Sequence, residues 1–186
     1  MRVISGVFRS RQLKGKPPTG TRPTSDKLRE TLFNVLGPSI EGAVFFDGFA
    51  GIGGIGIEAF SRGARPVYFV DRSRQACAVI RENLHLLGVT EGARVIEAPI
   101  EKALKILESE NVTFHIAFLD PPYERDVLYR ESLSGFGTRS LLRDGGILVM
   151  EHSKRIELPD VSGKLRKYRA LTQGDSTLSF YKAETD

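Results

Sequence analysis

Apolar residues along the chain follow two rhythms. Four short runs, Ala43-Val44-Phe45-Phe46, Val67-Tyr68-Phe69-Val70, Phe114-His115-Ile116-Ala117-Phe118-Leu119 and Gly145-Gly146-Ile147-Leu148-Val149-Met150-Glu151, read as strands of a parallel sheet. Between them, apolar positions recur at helical spacing. Leu28, Leu32 and Val35-Leu36 form one such face, stopped by Gly37-Pro38. Ile57, Ala59 and Phe60 lie in a second, running to Arg62-Gly63. Ala76, Ile80, Leu84 and Leu87 form a third, behind a Ser73 cap and ended by Gly88. Arg94-Val95-Ile96-Glu97-Ala98 adds a strand, and the stretches 165–171 and 177–182 pair as a hairpin turning at Gly174-Asp175. Strands alternating with helices predict an α/β fold. Its sheet is mostly parallel with helices on both faces, and the hairpin makes an antiparallel edge.

Three of the strands are closed by an aspartate: Asp47, Asp71 and Asp120. In open α/β sheets, ligands bind beyond the carboxyl ends of the strands. After Asp47 comes Gly48-Phe49-Ala50-Gly51-Ile52-Gly53-Gly54-Ile55-Gly56 and then a helix, which seats a nucleotide-like cofactor against a helix N-terminus. Asp71, with Arg72 after it, stands where a carboxylate accepts both ribose hydroxyls of an adenosine. Gly51-x-Gly53-x-x-Gly56 also matches the dinucleotide fingerprint, which keeps a nicotinamide-dependent oxidoreductase as an alternative. Asp47 argues against it, because a carboxylate before the loop binds an ammonium and repels a pyrophosphate. S-adenosyl-L-methionine carries an ammonium, a ribose and an activated methyl, and it suits both acids.

Asp120-Pro121-Pro122-Tyr123 is the most specific signal in the chain. Two consecutive prolines fix φ twice and remove two backbone donors, so neither helix nor ladder continues through them. What remains is a stiff turn offering a carboxylate, backbone carbonyls and an aromatic ring. Asp120 can accept one hydrogen of an aromatic NH2 group, the Pro121 carbonyl the other, and Tyr123 can stack on the ring. Two acceptors around the amine favour a pyramidal nitrogen whose lone pair points at an electrophile. A carboxylate titrating near about 4 is too weak to strip that amine beforehand. Asp120 instead orients it, stabilises the developing positive charge and takes the proton late. An ordinary turn, with Asp120 capping the next helix, is the bland alternative.

These motifs carry a resemblance. Arg2-Val3-Ile4-Ser5-Gly6, the segment from Arg22-Pro23-Thr24 to Glu30, Phe49-Ala50-Gly51 with Glu58-Ala59, Ser61-Arg62-Gly63-Ala64, Asp120-Pro121-Pro122-Tyr123 and Gly174-Asp175-Ser176-Thr177-Leu178 span almost the whole sequence. Together they resemble the class I S-adenosylmethionine-dependent methyltransferases. Within these they are similar to the RsmD family, bacterial enzymes that methylate N2 of one guanine in 16S ribosomal RNA. The resemblance implies a Rossmann-like fold with a seven-stranded sheet and the Asp120–Tyr123 tetrad as catalytic residues. It implies S-adenosyl-L-methionine held by Asp47, Gly48, Phe49, Ala50, Gly51, Gly53, Asp71, Arg72, Pro99, Ile100 and Asp120. It also implies a cytoplasmic monomer acting on the small ribosomal subunit or its assembly intermediate. Gly48, Ile52 and Pro99-Ile100 depart from the family, which more often has cysteine, serine and Asp-Ala there. Residues alone leave adenine-N6 methylation open, and a non-catalytic RNA-binding role as well. A protein-glutamine methyltransferase would carry asparagine in place of Asp120.

Charge adds a partner. Up to residue 29 there are eight bases against the single acid Asp26, a balance of +7; the total of +4 leaves the remainder at −3. Arg2, Arg9, Arg11, Lys14, Lys16 and Arg22 predict a basic RNA-binding arm over residues 1–24, ahead of a methyltransferase domain over residues 25–186. A solvated tail is its bland counterpart. Lys164, Arg166, Lys167 and Arg169 extend the expected footprint. With 186 residues the chain suits one well-buried α/β domain, and its single cysteine, Cys77, excludes an intrachain disulfide and suits a reducing cytosol. His85, His115 and His152 have no spacing that makes a zinc site, and no metal is expected.

Overall fold

The computed structural model describes residues 1–15, 25–122 and 126–184. Lys16, Arg22 and Tyr123 lie outside the described residues. The elements run α1 Asp26–Leu36, β1 Phe45–Gly48, α2 Gly54–Ser61, β2 Val67–Asp71, α3 Arg74–Leu86, β3 Ala93–Glu97 and α4 Ile100–Ser109. There follow β4 Phe114–Leu119, α5 Asp126–Thr138, β5 Leu142–Ser153, β6 Val161–Ser162, β7 Leu165–Gln173 and β8 Ser176–Ala183. The sheet order is β3-β2-β1-β4-β5-β8-β7-β6. The first five strands are parallel, and β8, β7 and β6 are antiparallel. The seven expected strands are thus joined by an eighth of two residues, which ends the sheet on a very short edge.

Helix ends follow the local chemistry. The Ser25 hydroxyl accepts from the Leu28 N–H at 3.1 Å and starts α1, and Ser73 accepts from Ala76 at 3.2 Å and starts α3. Gly37 and Gly88 follow these helices with φ of 49° and 73°. Alternation along the strands divides the core in two. Phe45, Phe69, Phe118 and Val149 pack on one side with α1, α2 and α3. Phe46, Val70, Leu119 and Met150 pack on the other with α4 and α5.

The beginning of the chain is a docked hairpin, not a free arm. The Val3 N–H donates to Arg11 O at 3.0 Å and the Leu13 N–H to Met1 O at 2.9 Å, while Val3 and Leu13 are buried in the core. Glu58 of α2, itself fully buried, accepts from the Ile4 N–H at 2.7 Å and the Ser5 N–H at 3.0 Å. Asn83 of α3 accepts from the Lys14 N–H at 2.7 Å and donates to Lys14 O and Ile52 O, both at 3.2 Å. Residues 1–15 are therefore built into the domain, and a division at residue 24 does not set them apart as a packed unit. Charge counting misses this because the anchors are two apolar residues and partners more than fifty positions away. Arg2, Arg9, Arg11 and Lys14 keep their side chains on the surface. Near the C-terminus, Arg166 is paired with Glu184 and Lys167 with Asp160, which weakens the expected extension of the basic footprint. Among the described residues, no helix is long and apolar enough to cross a membrane.

Candidate active site

Four neighbouring strands, β5, β4, β1 and β2, bring an acid to the same edge of the sheet: Glu151, Asp120, Asp47 and Asp71. Asp47 is aligned with Phe118, and Phe118 with Val149, so Asp120 and Glu151 follow one pleat further along on neighbouring strands. The Asp120 N–H reaches Gly48 O at 3.3 Å and ties the end of β4 to the glycine loop after β1. Among the described residues, no group of three such side chains is placed to hold a metal ion.

Asp47 is 2% exposed, and its Oδ2 accepts from the Gly56 N–H at 2.8 Å. Burial pushes its carboxyl up to about 7, the bond from Gly56 opposes the shift, and nearby Asp71 adds to it. One oxygen of Asp47 is thus committed to the loop's own backbone. Asp71 is engaged too: Oδ2 accepts from the Gly51 N–H at 2.9 Å and Oδ1 from the Ser73 N–H at 2.8 Å. A carboxylate oxygen has two lone pairs, so each retains one for a ligand hydroxyl.

The loop is held in left-handed turns at Phe49, Gly51 and Gly53, with φ of 62°, 57° and 82°. Phe49 takes a conformation that costs a non-glycine residue on the order of 1 kcal/mol, and its half-buried ring packs against the α4–α5 side of the core. Ala50 donates to Val70 O at 3.0 Å, and Gly53 donates to Ala50 O at 2.7 Å. Packing accounts for the departure at Gly48. A Cβ there would lie 2.5 Å from Leu119 Cδ2 and 2.8 Å from Phe46 Cε1, so the space for a larger residue is already filled. Ile100 lines the same spot, while Pro99 and Arg72 are exposed at the adjoining strand ends.

At the diproline corner Pro121 is buried, and Asp120 and Pro122 are half-buried. Loss of solvation raises the Asp120 carboxyl well above the ordinary range, and the charges of Glu151 and then Asp47 push it further. Two contributors lie outside the residues expected from the motifs. Glu151, 1% exposed, lies within β5 two residues past Val149 and level with Asp120, and its place straight after the apolar run Ile147-Leu148-Val149-Met150 is the signal that marks it. Tyr129 of α5 donates its hydroxyl to Pro121 O at 3.0 Å. The signal for its helix is fainter, the recurrence of Tyr129, Leu133 and Phe136 at helical spacing. His115 accepts from the Val44 N–H at 3.2 Å, and Cys77 is buried, as expected for packing roles.

The N-terminal hairpin ends at this site. Asn83 links Lys14 to Ile52, and a Cβ on Gly15 would lie 3.1 Å from Ile52 Cγ2, so residue 15 lies against the glycine loop.

Other proteins are similar to this chain along nearly its whole length. The model of the family described as Conserved hypothetical protein 95 matches residues 1–182. A putative rRNA methyltransferase, YlbH of Bacillus subtilis, is 40% identical over 182 residues, covering 98% of both chains. The ribosomal RNA small subunit methyltransferase D of Escherichia coli is 32% identical over 184 residues, covering 99% of this chain and 90% of that one. The solved structure of the putative methyltransferase yhhF from Escherichia coli superposes with a TM-score of 0.85 at 32% identity, covering 100% of this chain and 99% of that one. With its mixed sheet, glycine loop and diproline corner, and with these matches running along its whole length, the chain belongs to the RsmD family of ribosomal RNA methyltransferases.

Proposed function

We propose that this protein methylates the exocyclic N2 of one guanine in the 16S RNA of the small ribosomal subunit, using S-adenosyl-L-methionine. The observation that carries the reading is the placement of Asp120 and the Pro121 carbonyl, two acceptors for an NH2 group, one hydrogen bond away from the glycine loop at Gly48. When bound, S-adenosylmethionine supplies a methyl carbon on a positively charged sulfur, together with an ammonium. The donor set suits such a cation, because Asp47, Asp71, Asp120 and Glu151 place four carboxyl groups along one rim. The open space at Gly51 fits a ligand over the loop: a Cβ there would meet nothing within 4 Å.

The residues divide the work. Asp71 and the loop backbone hold the ribose, Ile100 and Pro99 border the adenine, and Asp47 stiffens the loop beneath the amino-acid end. Asp120 and Pro121 orient the guanine amine, and Tyr123 stacks on the base. So oriented, the nitrogen lone pair would be free to take the methyl that bound S-adenosylmethionine would supply, the sulfur keeping the electrons of the broken C–S bond. The surplus amine proton passes to the Asp120 carboxylate, whose raised proton affinity favours that transfer. Arg2, Arg9, Arg11, Lys14, Lys16 and Arg22 attract the phosphates. Guanine N2, a single target nucleotide and a monomeric cytoplasmic enzyme rest on the family resemblance.

The test incubates the protein with labelled S-adenosylmethionine and unmodified small subunits, then digests the RNA to nucleosides. Label in N2-methylguanosine is expected. Label in N6-methyladenosine would transfer the site to the other base, and no label in RNA would overturn the reading.

A further inference from the structure

Tyr129 is the structure's answer to a problem the corner creates for itself. Pro121 and Pro122 carry no N–H, so beyond the Asp120 N–H, which is bonded to Gly48 O, neither proline has a donor with which to lock its own peptide. A carbonyl that must accept one amine hydrogen needs a fixed direction, since a displacement of about 1 Å costs on the order of 100-fold in rate. The Tyr129 hydroxyl supplies that lock from outside, donating to Pro121 O at 3.0 Å from a side chain that is fully buried. A carbonyl oxygen has two lone pairs, and this bond occupies one. Tyr129 is itself held: its ring meets His152 edge-on, with centroids 6.5 Å apart and planes at 80°. His152 is in turn fixed by Ser179 Oγ at 2.8 Å and Ser153 O at 2.9 Å. Three elements, α5, β5 and β8, therefore converge on the orientation of one peptide group.

We infer that Tyr129 is a positioning residue for the methyl acceptor: its hydroxyl takes one lone pair of the Pro121 carbonyl and directs the other at the substrate amine. The inference rests on the methyltransferase reading above and adds to it a residue outside the tetrad. Tyr129 acts on the reaction through Pro121.

The experiment is Tyr129→Phe in the full chain, assayed on unmodified small subunits with saturating labelled S-adenosylmethionine. Thermal midpoint and cofactor Kd are measured in parallel. A loss of about 10- to 100-fold in kcat is expected, with KM for both substrates and the cofactor Kd within about twofold of wild type. A merely structural role predicts a lower midpoint and an unchanged kcat, and that result overturns the inference. So does a loss confined to KM. Ser179→Ala, which frees His152 behind the ring, gives an independent arm should the first variant not fold. Its kcat should fall by about 2- to 5-fold at constant KM, and an unchanged kcat counts against the inference. Wild-type protein that methylates guanine while Tyr129→Phe matches it sinks this inference alone. Wild-type protein that methylates nothing sinks both.

Discussion

The two turns that form the candidate site are stiffened in opposite ways. The loop after β1 and the first turn of α2 are rich in backbone donors and spend them on acids: Gly51 on Asp71, Gly56 on Asp47. The corner after β4 has almost none and borrows a hydroxyl from α5 to hold a carbonyl in place. The first arrangement makes a rigid floor whose residues are tied up in their own framework, suited to seating a ligand that must not move. The second sets a carboxyl and a carbonyl side by side at the strand end, suited to a group whose hydrogens must be gripped and one of them removed. Damage to the loop should therefore appear in stability and cofactor affinity, and damage to the corner in turnover.

The sharpest way to break that contrast is Asp120→Ala. It should lower kcat by more than about 100-fold while cofactor binding, followed by calorimetry, survives. Near-normal transfer would erase the distinction.

Gly56→Ala probes the other side. Its Cβ would stand 2.3 Å from Phe69 Cε1 and 2.9 Å from Asp47 Oδ2, a buried collision. A loss of about 1–3 kcal/mol is expected in denaturant unfolding, with weakened cofactor binding but a turnover at saturation that is largely kept.

Titration compares the turns directly. A carboxyl whose folded value lies above its unfolded one adds stability below the unfolded value and loses it as pH rises through the folded value. For Asp47 that window runs from its ordinary value of 3.8 to about 7. The ligand-free protein should lose unfolding free energy across it, approaching about 1.4 kcal/mol per pH unit. Cation binding among these acids should release protons, so cofactor affinity rises with pH across the same range. Asp47→Asn should flatten the slope. A pH-independent affinity would show that these acids do not face the charge.

The smallest effect belongs to the hairpin. Arg9→Ala with Arg11→Ala should reduce the salt dependence of RNA binding by about 0.7 to 0.9 in slope for each phosphate no longer neutralised, without changing the thermal midpoint. Deleting residues 1–15 is the poorer test, because it also strips Val3 and Leu13 from the core.

Most of the sheet was legible because buried parallel strands are continuous apolar runs, three of them closed by an aspartate. The loop and corner were legible because glycine and proline restrict the backbone locally. Helix α5 was not: its segment DVLYRESLSGFGT holds two glycines and a mostly polar set, and only Tyr129, Leu133 and Phe136 mark its inner face. Helix α4 carries a plainer signal in Ile100, Ala103, Leu104 and Leu107, but its first turn overlaps Pro99-Ile100, which reads as a cofactor edge. The docking of residues 1–15 depends on Glu58 and Asn83, partners that no local pattern encodes.

Those partners also set an order of events during synthesis. Residues 4–14 leave the ribosome before their anchors at Glu58, Ser61 and Asn83. Until that third helix has emerged, Val3 and Leu13 have nowhere to bury themselves. A stretch made before its partners is thus among the later ones to settle, a waiting period during which its apolar pair stays open to passing chaperones.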